Sequence, residues 1–150
     1  MMRLKITSLE WLIWDEEVKQ LTVDTMLGQI TVLPWHDNLI SVLKPGLIKL
    51  VPAEVRTDRH FDFLMEKEYA VFGVLWGVLK VEEDEVQILT NMVITDNQNP
   101  LDILLQNKIS LKEKLQQAHA SHSEIHTIEA DLEKIELELK IAYRKEHRVR

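Results

Sequence analysis

The 150-residue chain contains no cysteine, and this absence removes several classes of site. Disulfides, thiolate metal sites and cysteine nucleophiles are excluded. The chain also has no apolar run of about 18 residues, so we expect no membrane-spanning helix. Residues Met1–Ile6 lack the apolar run of a signal peptide. The net charge of −7 supplies no overall positive field for nucleic acid. We therefore expect no nucleic-acid binding and no direct membrane insertion.

Glycine and proline are scarce, with four of each, and none lies beyond Pro100. The part before Asn97 is rich in β-branched residues, whereas the part after Pro100 is rich in Leu, Glu, Lys and Ile. Such a shift indicates a change of secondary-structure class. We predict a β-domain over residues 1–97 and a helical domain over residues 98–150.

Short apolar stretches in the first part alternate with polar residues and are separated by turn signals such as Lys44-Pro45-Gly46. The predicted strands are Leu4–Thr7, Val18–Val23, Ile30–Leu33, Leu39–Leu43, Leu47–Val51, Tyr69–Val74, Val78–Val81 and Val86–Thr90. Short strands at near-regular spacing favour an antiparallel sandwich or barrel. The charged stretch Ala53–Lys67 fits least well, and we expect a strand extension or a protruding hairpin there.

The second part predicts two amphipathic helices, because apolar residues recur at spacings of three and four. They are Leu101, Leu104, Leu111, Leu115 and Ala118 in the first helix, and Ile125, Ile128, Leu132, Ile135, Leu139 and Ala142 in the second. Asn97 or Asn99 and, in the second helix, Ser123 are candidate caps, with Pro100 at the first helical position. The short connector Ala120–Ser123 predicts an antiparallel two-helix hairpin.

Candidate chemistry is sparse. His119, His122 and His126 have helical spacing that would suit zinc, but they cross the predicted connector, and exposed polar residues are the favoured interpretation. The run Glu82–Glu85 lacks the spaced acids and glycine of a calcium loop, so a solvated turn is favoured. The sequence contains no phosphate-binding loop and no nucleophile motif. We predict no catalytic residue, no metal and no cofactor.

The C-terminus is basic although the whole chain is acidic. The basic residues are Lys140, Arg144, Lys145, Arg148 and Arg150. One interpretation is structural, because a helix dipole favours cations at the C-terminal end. The other is an electrostatic contact with an acidic protein surface. Both interpretations fit a non-catalytic adaptor.

Five segments, in this order and followed by a helical hairpin, resemble the ε subunit family of the rotary F-type ATP synthase. They are Leu27–Ile30, Pro34–His36, Lys44–Gly46, Trp76–Val81 and Val86–Thr90. The sequence departs from the family at Trp35 and Trp76, where the family has glycine, and it has extra residues between Val51 and Gly73. We infer a divergent bacterial-type member.

The resemblance implies an N-terminal antiparallel β-sandwich of about ten strands and a C-terminal antiparallel hairpin. It also implies a non-catalytic central-stalk subunit that couples γ to the c-ring in proton-driven ATP synthesis. Such a subunit is a peripheral membrane protein on the cytoplasmic face of the bacterial inner membrane. The implied c-ring contacts are Met26, Leu27, Gly28, Gln29 and Ile30, and His36 would lie near γ. The alternative is a β-domain with a coiled coil that serves as adaptor or chaperone of another complex.

In the family the hairpin can extend along γ and inhibit ATP hydrolysis through an acidic segment of subunit β. The matching candidates here are Lys140, Arg144, Lys145 and Arg148. Some members bind ATP through Ile/Leu-Asp-x-x-Arg-Ala; Leu101 and Asp102 match, but Leu105 and Gln106 replace Arg and Ala. An apolar side chain cannot pair with phosphate as guanidinium does, so we expect weak or absent ATP binding.

Overall fold

The computed structural model describes residues 1–54, 63–95, 100–117 and 122–147. The described elements are β1 (Met2–Ser8), β2 (Leu12–Thr25), β3 (Gly28–Val32), β4 (Leu39–Leu43), β5 (Gly46–Pro52), β6 (Leu64–Glu66), β7 (Tyr69–Val74), β8 (Gly77–Glu82), β9 (Glu85–Thr90), β10 (Val93–Ile94), α1 (Leu101–Gln117) and α2 (His122–His147). Each predicted strand corresponds to an observed one, and the predicted β-then-α order is confirmed. The short strands β6 and β10 were not predicted.

The strand β2 joins the two halves of the sheet because it is 14 residues long. Its first half pairs with β1, and its second half pairs with β3 and β5. The ten strands form one hydrogen-bonded sheet in the order β1-β9-β8-β4-β2-β5-β7-β10, with β3 on β2 and β6 on β7. Among the described strands every pairing is antiparallel except that of β1 with β9. The predicted antiparallel arrangement therefore needs this one correction.

The core lies between the two halves of the folded sheet. In β1, buried Met2, Leu4 and Ile6 alternate with exposed Arg3 and Lys5, as the side-chain period of a strand requires. Alternate residues of β2, β5, β7, β8 and β9 fill the same cluster. Each fully buried aliphatic side chain contributes about 1.5–3 kcal/mol relative to exposure.

The stretch Ala53–Lys67 is only partly described. Phe63 packs on the core, with its ring centroid 5.8 Å from that of Trp14 and 5.2 Å from that of Phe72. Next comes β6, which pairs with β7 and ends at Glu66. The described end of this stretch is therefore a short strand in a hairpin with β7, and residues 55–62 lie outside the described part of the chain.

The helices pack as an antiparallel pair. Lys108 Nζ lies 4.0 Å from Glu136 Oε1, and Lys114 and Asp131 line one groove nearer the connection. The α1 helix begins one residue after Pro100, whose carbonyl accepts a hydrogen bond from Leu104 N–H at 3.2 Å. Asn97 and Asn99 lie outside the described residues, as does the predicted domain boundary at residues 97–98.

Ser123 does not begin the second helix. The α2 helix starts at His122, so Ser123 lies in its first turn and the predicted cap at this residue is wrong. The carbonyl of Ser123 accepts a hydrogen bond from Thr127 Oγ1 at 2.9 Å, which is a bond within the helix.

Candidate interaction surfaces

The turn between β2 and β3 projects apolar side chains into solvent. Thr25 Oγ1 donates to the Gly28 carbonyl at 2.6 Å and accepts from Leu27 N–H at 3.2 Å. Met26 N–H donates to the Val42 carbonyl at 3.0 Å, which ties the turn to β4. Gly28 has a φ of 122°, a conformation that side chains disfavour. Leu27 is thereby held 97% exposed at the end of the sheet.

Four of the five predicted c-ring contacts are available on this hairpin. Met26, Leu27, Gly28 and Gln29 are exposed. Ile30 is half-buried and packs against the core, so it supports the turn from behind.

The strand register brings further exposed apolar residues to the same end of the sheet. Ser8 pairs with Thr90, Thr90 with Gly77, Gly77 with Leu43, and Leu43 with Thr25. The connections that follow these strand ends therefore lie side by side. We call their exposed apolar residues the apolar end: Leu9, Trp11, Met26, Leu27, Trp76 and Met92. Of these six, only Met26 and Leu27 were among the contacts implied by the family resemblance, because the others become neighbours only through register.

Two of these connections are rigidly hydrogen-bonded. Ser8 Oγ accepts from Trp11 N–H at 3.1 Å, and Ser8 N–H donates to the Trp11 carbonyl at 2.8 Å. Trp76 N–H donates to Asn91 Oδ1 at 3.1 Å, and Asn91 N–H donates to the Trp76 carbonyl at 3.2 Å. A groove of about 240 Å³ lies between the first connection and Met92. The exposed apolar residues are thus presented by fixed backbone.

A second apolar surface covers the outward side of β4, β8 and β9. Val42 pairs with Val78, and Val78 pairs with Leu89, so the three side chains form a row across the strands. Ile40, one side-chain period along β4, is 73% exposed. We call Ile40, Val42, Val78 and Leu89 the outer face.

His36, the predicted γ contact, lies at the opposite end of the sheet from the apolar end. It is half-buried, and its Nδ1 lies 2.7 Å from the Asp37 carbonyl oxygen. The next strand, β4, carries Ile40 of the outer face. His36 therefore lies just beyond the far end of this second surface.

Trp35 occupies a backbone conformation that normally requires glycine. Its φ is 71°, and its side chain is 88% exposed. Trp35 N–H donates to Asp84 Oδ1 at 3.0 Å. Glu83 and Asp84, with φ of 47° and 61°, form the predicted acidic turn between β8 and β9, and Glu83 N–H donates to Asn38 Oδ1 at 3.3 Å. The hydrogen bond to Asp84 thus ties the segment around Trp35 to the acidic turn.

The C-terminal half of α2 packs on the sheet through a face that the sequence did not predict. Leu137 and Ile141 are buried with Leu64, Val71 and Ile94 of strands β6, β7 and β10, and with Leu75, which directly follows β7. The predicted seam residue Leu139 is also buried. The α2 helix therefore uses two apolar faces, one for α1 and one for the sheet.

Arg144, one of the residues that the resemblance implies would contact subunit β, pairs with Glu66 of the β-domain in this structure. Its Nε lies 3.1 Å from Oε2 and 3.3 Å from Oε1, and both side chains are half-buried. Lys140 and Lys145 are exposed, whereas Arg148 and Arg150 lie outside the described residues. The hairpin is folded against the sheet in this structure.

The remaining candidate residues are those of the ATP-binding motif and of the histidine cluster. Leu101 and Asp102 lie in the first turn of α1, where Asp102 is exposed, and Leu105 and Gln106 are exposed one turn later. His119 and the side chain of His122 lie outside the described part of the chain, and His126 is exposed. Within that described part, no three His, Asp or Glu residues are grouped as metal ligands. None of its helices is long and apolar enough to cross a membrane.

These surfaces belong to a known architecture. Residues 1–96 match the family model described as ATP synthase, Delta/Epsilon chain, beta-sandwich domain. The chain belongs to this family. The predicted resemblance is therefore confirmed, as are the sandwich and the assignment to a non-catalytic epsilon-type subunit. An adaptor or chaperone of another complex is set aside.

Several relatives of known name are ATP synthase epsilon chains. The ATP synthase epsilon chain of Nitratiruptor sp. is 28% identical over 138 residues, which cover 89% of this chain and 94% of that one. The epsilon chain of Campylobacter concisus is 30% identical over 90 residues, 60% of each chain. The chloroplastic epsilon chain of Pinus thunbergii is 28% identical over 90 residues, 60% of this chain. The match spans only 56% of the length of the pine chain.

Solved structures of ATP synthases contain chains of the same fold. A chain of the Euglena gracilis mitochondrial enzyme (OSCP/F1/c-ring) superposes with a TM-score of 0.69 at 19% identity, covering 95% of this chain and 81% of that one. A chain of the Tetrahymena thermophila mitochondrial ATP synthase central stalk/c-ring gives 0.55 at 11% identity, with 94% and 96% coverage. At these identities the likeness shows the fold alone.

Proposed function

We propose that this protein is a rotor subunit of the ATP synthase central stalk that joins γ to the c-ring. The observation that supports this proposal most strongly is that exposed apolar residues cover both one end and the outward side of the same sheet. Monomeric proteins rarely leave large apolar patches uncovered, and rigid patches suit partner contacts. We assign the apolar end to the c-ring and the outer face, beside His36, to γ. In a bacterial cell this subunit would be attached to the cytoplasmic face of the inner membrane through its partners.

Two charge substitutions test these assignments. Leu27→Asp places a carboxylate on the apolar end, and Ile40→Asp places one on the outer face. Both side chains are largely exposed, so the isolated chain should still fold. Burying a leucine-sized side chain is worth about 1.5–3 kcal/mol, so each contact should weaken at least tenfold.

The readouts separate the two partners. Ile40→Asp should reduce retention of the subunit during purification of the complex, and Leu27→Asp should reduce ATP-driven proton pumping while ATP hydrolysis continues. Gln117→Asp, at an exposed position on α1, is the matched control. Retention and pumping equal to those of the control would refute the assignment.

We also propose that the hairpin, when extended, inhibits ATP hydrolysis through its basic residues. Truncation after Glu138 tests this only coarsely, because it also removes Ile141 and Arg144, which contact the sheet. The triple variant Lys140→Gln, Lys145→Gln, Arg148→Gln leaves those sheet contacts in place. The truncation and the triple substitution should each raise ATP hydrolysis by the assembled complex under inhibitory conditions. Unchanged hydrolysis in the triple variant would show that these residues make no inhibitory contact.

A further inference from the structure

The ion pair between Arg144 and Glu66 links the end of the chain to the β-domain. The two residues are 78 positions apart in sequence, and the guanidinium Nε faces both carboxylate oxygens. Charge-assisted hydrogen bonds of this kind are stronger than neutral ones, and partial burial reduces screening by salt.

The apolar face of α2 fixes where Arg144 can reach. Leu137, Ile141 and Arg144 follow at spacings of four and three, so they share one side of the helix. Leu137 packs close to Gly73 of β7: a Cβ placed on Gly73 would lie 3.5 Å from Leu137 Cβ. Arg144 therefore meets Glu66 only while this side of α2 lies on the sheet.

We propose that Glu66 is an internal competitor for Arg144, so that the ion pair is a latch that keeps the hairpin docked. While the latch is closed, the guanidinium is withheld from any external carboxylate. An acidic partner surface must displace Glu66 before it can bind Arg144. The functional consequence rests on the inhibitory role proposed above, whereas the latch itself is a property of the isolated chain.

The position of Glu66 places its carboxylate beside the residues on which α2 packs. It ends β6, a three-residue strand whose Leu64 is buried with Leu137 and Ile141. The β6 strand pairs with β7, the strand that also carries Val71 against α2. The hairpin of β6 and β7 thus supplies both the carboxylate that pairs with Arg144 and part of the apolar surface on which α2 packs.

Hydrogen exchange on the full-length chain tests the latch. Glu66→Gln keeps the shape of the side chain and removes its charge, and Glu68→Gln is a matched control at an exposed acid in the adjoining turn. Glu66→Gln should lower the protection of amides in the C-terminal half of α2 by about fivefold relative to the control. The double charge exchange Glu66→Arg with Arg144→Glu should restore that protection. Equal protection in Glu66→Gln and Glu68→Gln would overturn the latch.

The assembled complex supplies an independent readout. A complex that carries Glu66→Gln should hydrolyse ATP more slowly than one that carries Glu68→Gln, because Arg144 is released for the inhibitory contact. A complex that carries Glu66→Arg with Arg144→Glu should hydrolyse ATP faster than the Glu68→Gln complex. Its hairpin is latched, and the residue at position 144 is acidic and cannot make the inhibitory contact. If Glu66→Gln alters amide hydrogen exchange but not ATP hydrolysis, the inhibitory function is overturned and the latch stands. If Glu66→Gln leaves amide hydrogen exchange unaltered, the latch is overturned, whatever the rates of ATP hydrolysis.

Discussion

Replacement of Ile141 by alanine should separate the hairpin from the sheet without unfolding the sheet. Ile141 is 1% exposed and lies in the cluster that joins α2 to β6, β7 and β10. Ile141→Ala removes buried carbon worth about 2.5 kcal/mol at about 0.8 kcal/mol per methylene. Incomplete collapse of the cavity raises the loss to about 3 kcal/mol.

The loss of about 3 kcal/mol should weaken only the docking of the hairpin, because the cluster beneath α2 and the main core of the sheet are distinct. The cluster beneath α2 shares no residue with the main core between the sheet halves. A loss of about 3 kcal/mol corresponds to a change of about 150-fold in the docking equilibrium. The sandwich, whose core is untouched, should keep its own stability.

Thiol labelling measures the two events separately, because the chain has no cysteine of its own. Val71→Cys introduces a thiol buried beneath α2, and Val86→Cys introduces one in the main core. Ile141→Ala should speed labelling at position 71 by about 100-fold and leave labelling at position 86 unchanged. Equal acceleration at both positions would refute the reasoning, since α2 and the sheet would then unfold as one unit.

Three further outcomes are expected. Trp35→Gly should stabilise the isolated chain by about 0.5–1 kcal/mol in urea unfolding, because relief of the positive φ exceeds the entropy cost of glycine; a loss of stability would mean that the exposed indole packs usefully. Gly77→Ala should destabilise the chain by about 1–3 kcal/mol in the same assay, since its Cβ would collide with the Leu89 carbonyl oxygen; an unchanged midpoint would contradict this. Calorimetry should detect no ATP binding to the wild-type chain, whereas the double substitution Leu105→Arg, Gln106→Ala should introduce weak binding; tight binding to the wild type would refute the motif argument.

Local pattern was sufficient for most of the fold. Strands such as β1 were predictable because alternation of buried and exposed residues is a property of the strand itself. The strands β6 and β10 were missed because they have three and two residues, too few for a period to be visible. The packing of α1 against α2 was predictable because apolar residues recur at spacings of three and four in both helices.

Features that depend on distant pairing were not predictable. Leu137 and Ile141 follow no second repeat long enough to distinguish a sheet-facing side from ordinary helix surface. The partner of Arg144 lies 78 residues away, so charge composition indicated an external contact and missed Glu66. The apolar end was seen only at residues 26–27 because the other connections become its neighbours through strand register.

We propose above that two surfaces of one sheet bind two different rotor partners. Photo-crosslinking from a single cysteine in the assembled ATP synthase tests it directly. Leu27→Cys should crosslink to the c-ring and Ile40→Cys to γ, while Glu113→Cys, on an exposed part of α1, should crosslink to neither when the hairpin is docked. Crosslinking of positions 27 and 40 to the same neighbour, or to no rotor subunit, would contradict the account.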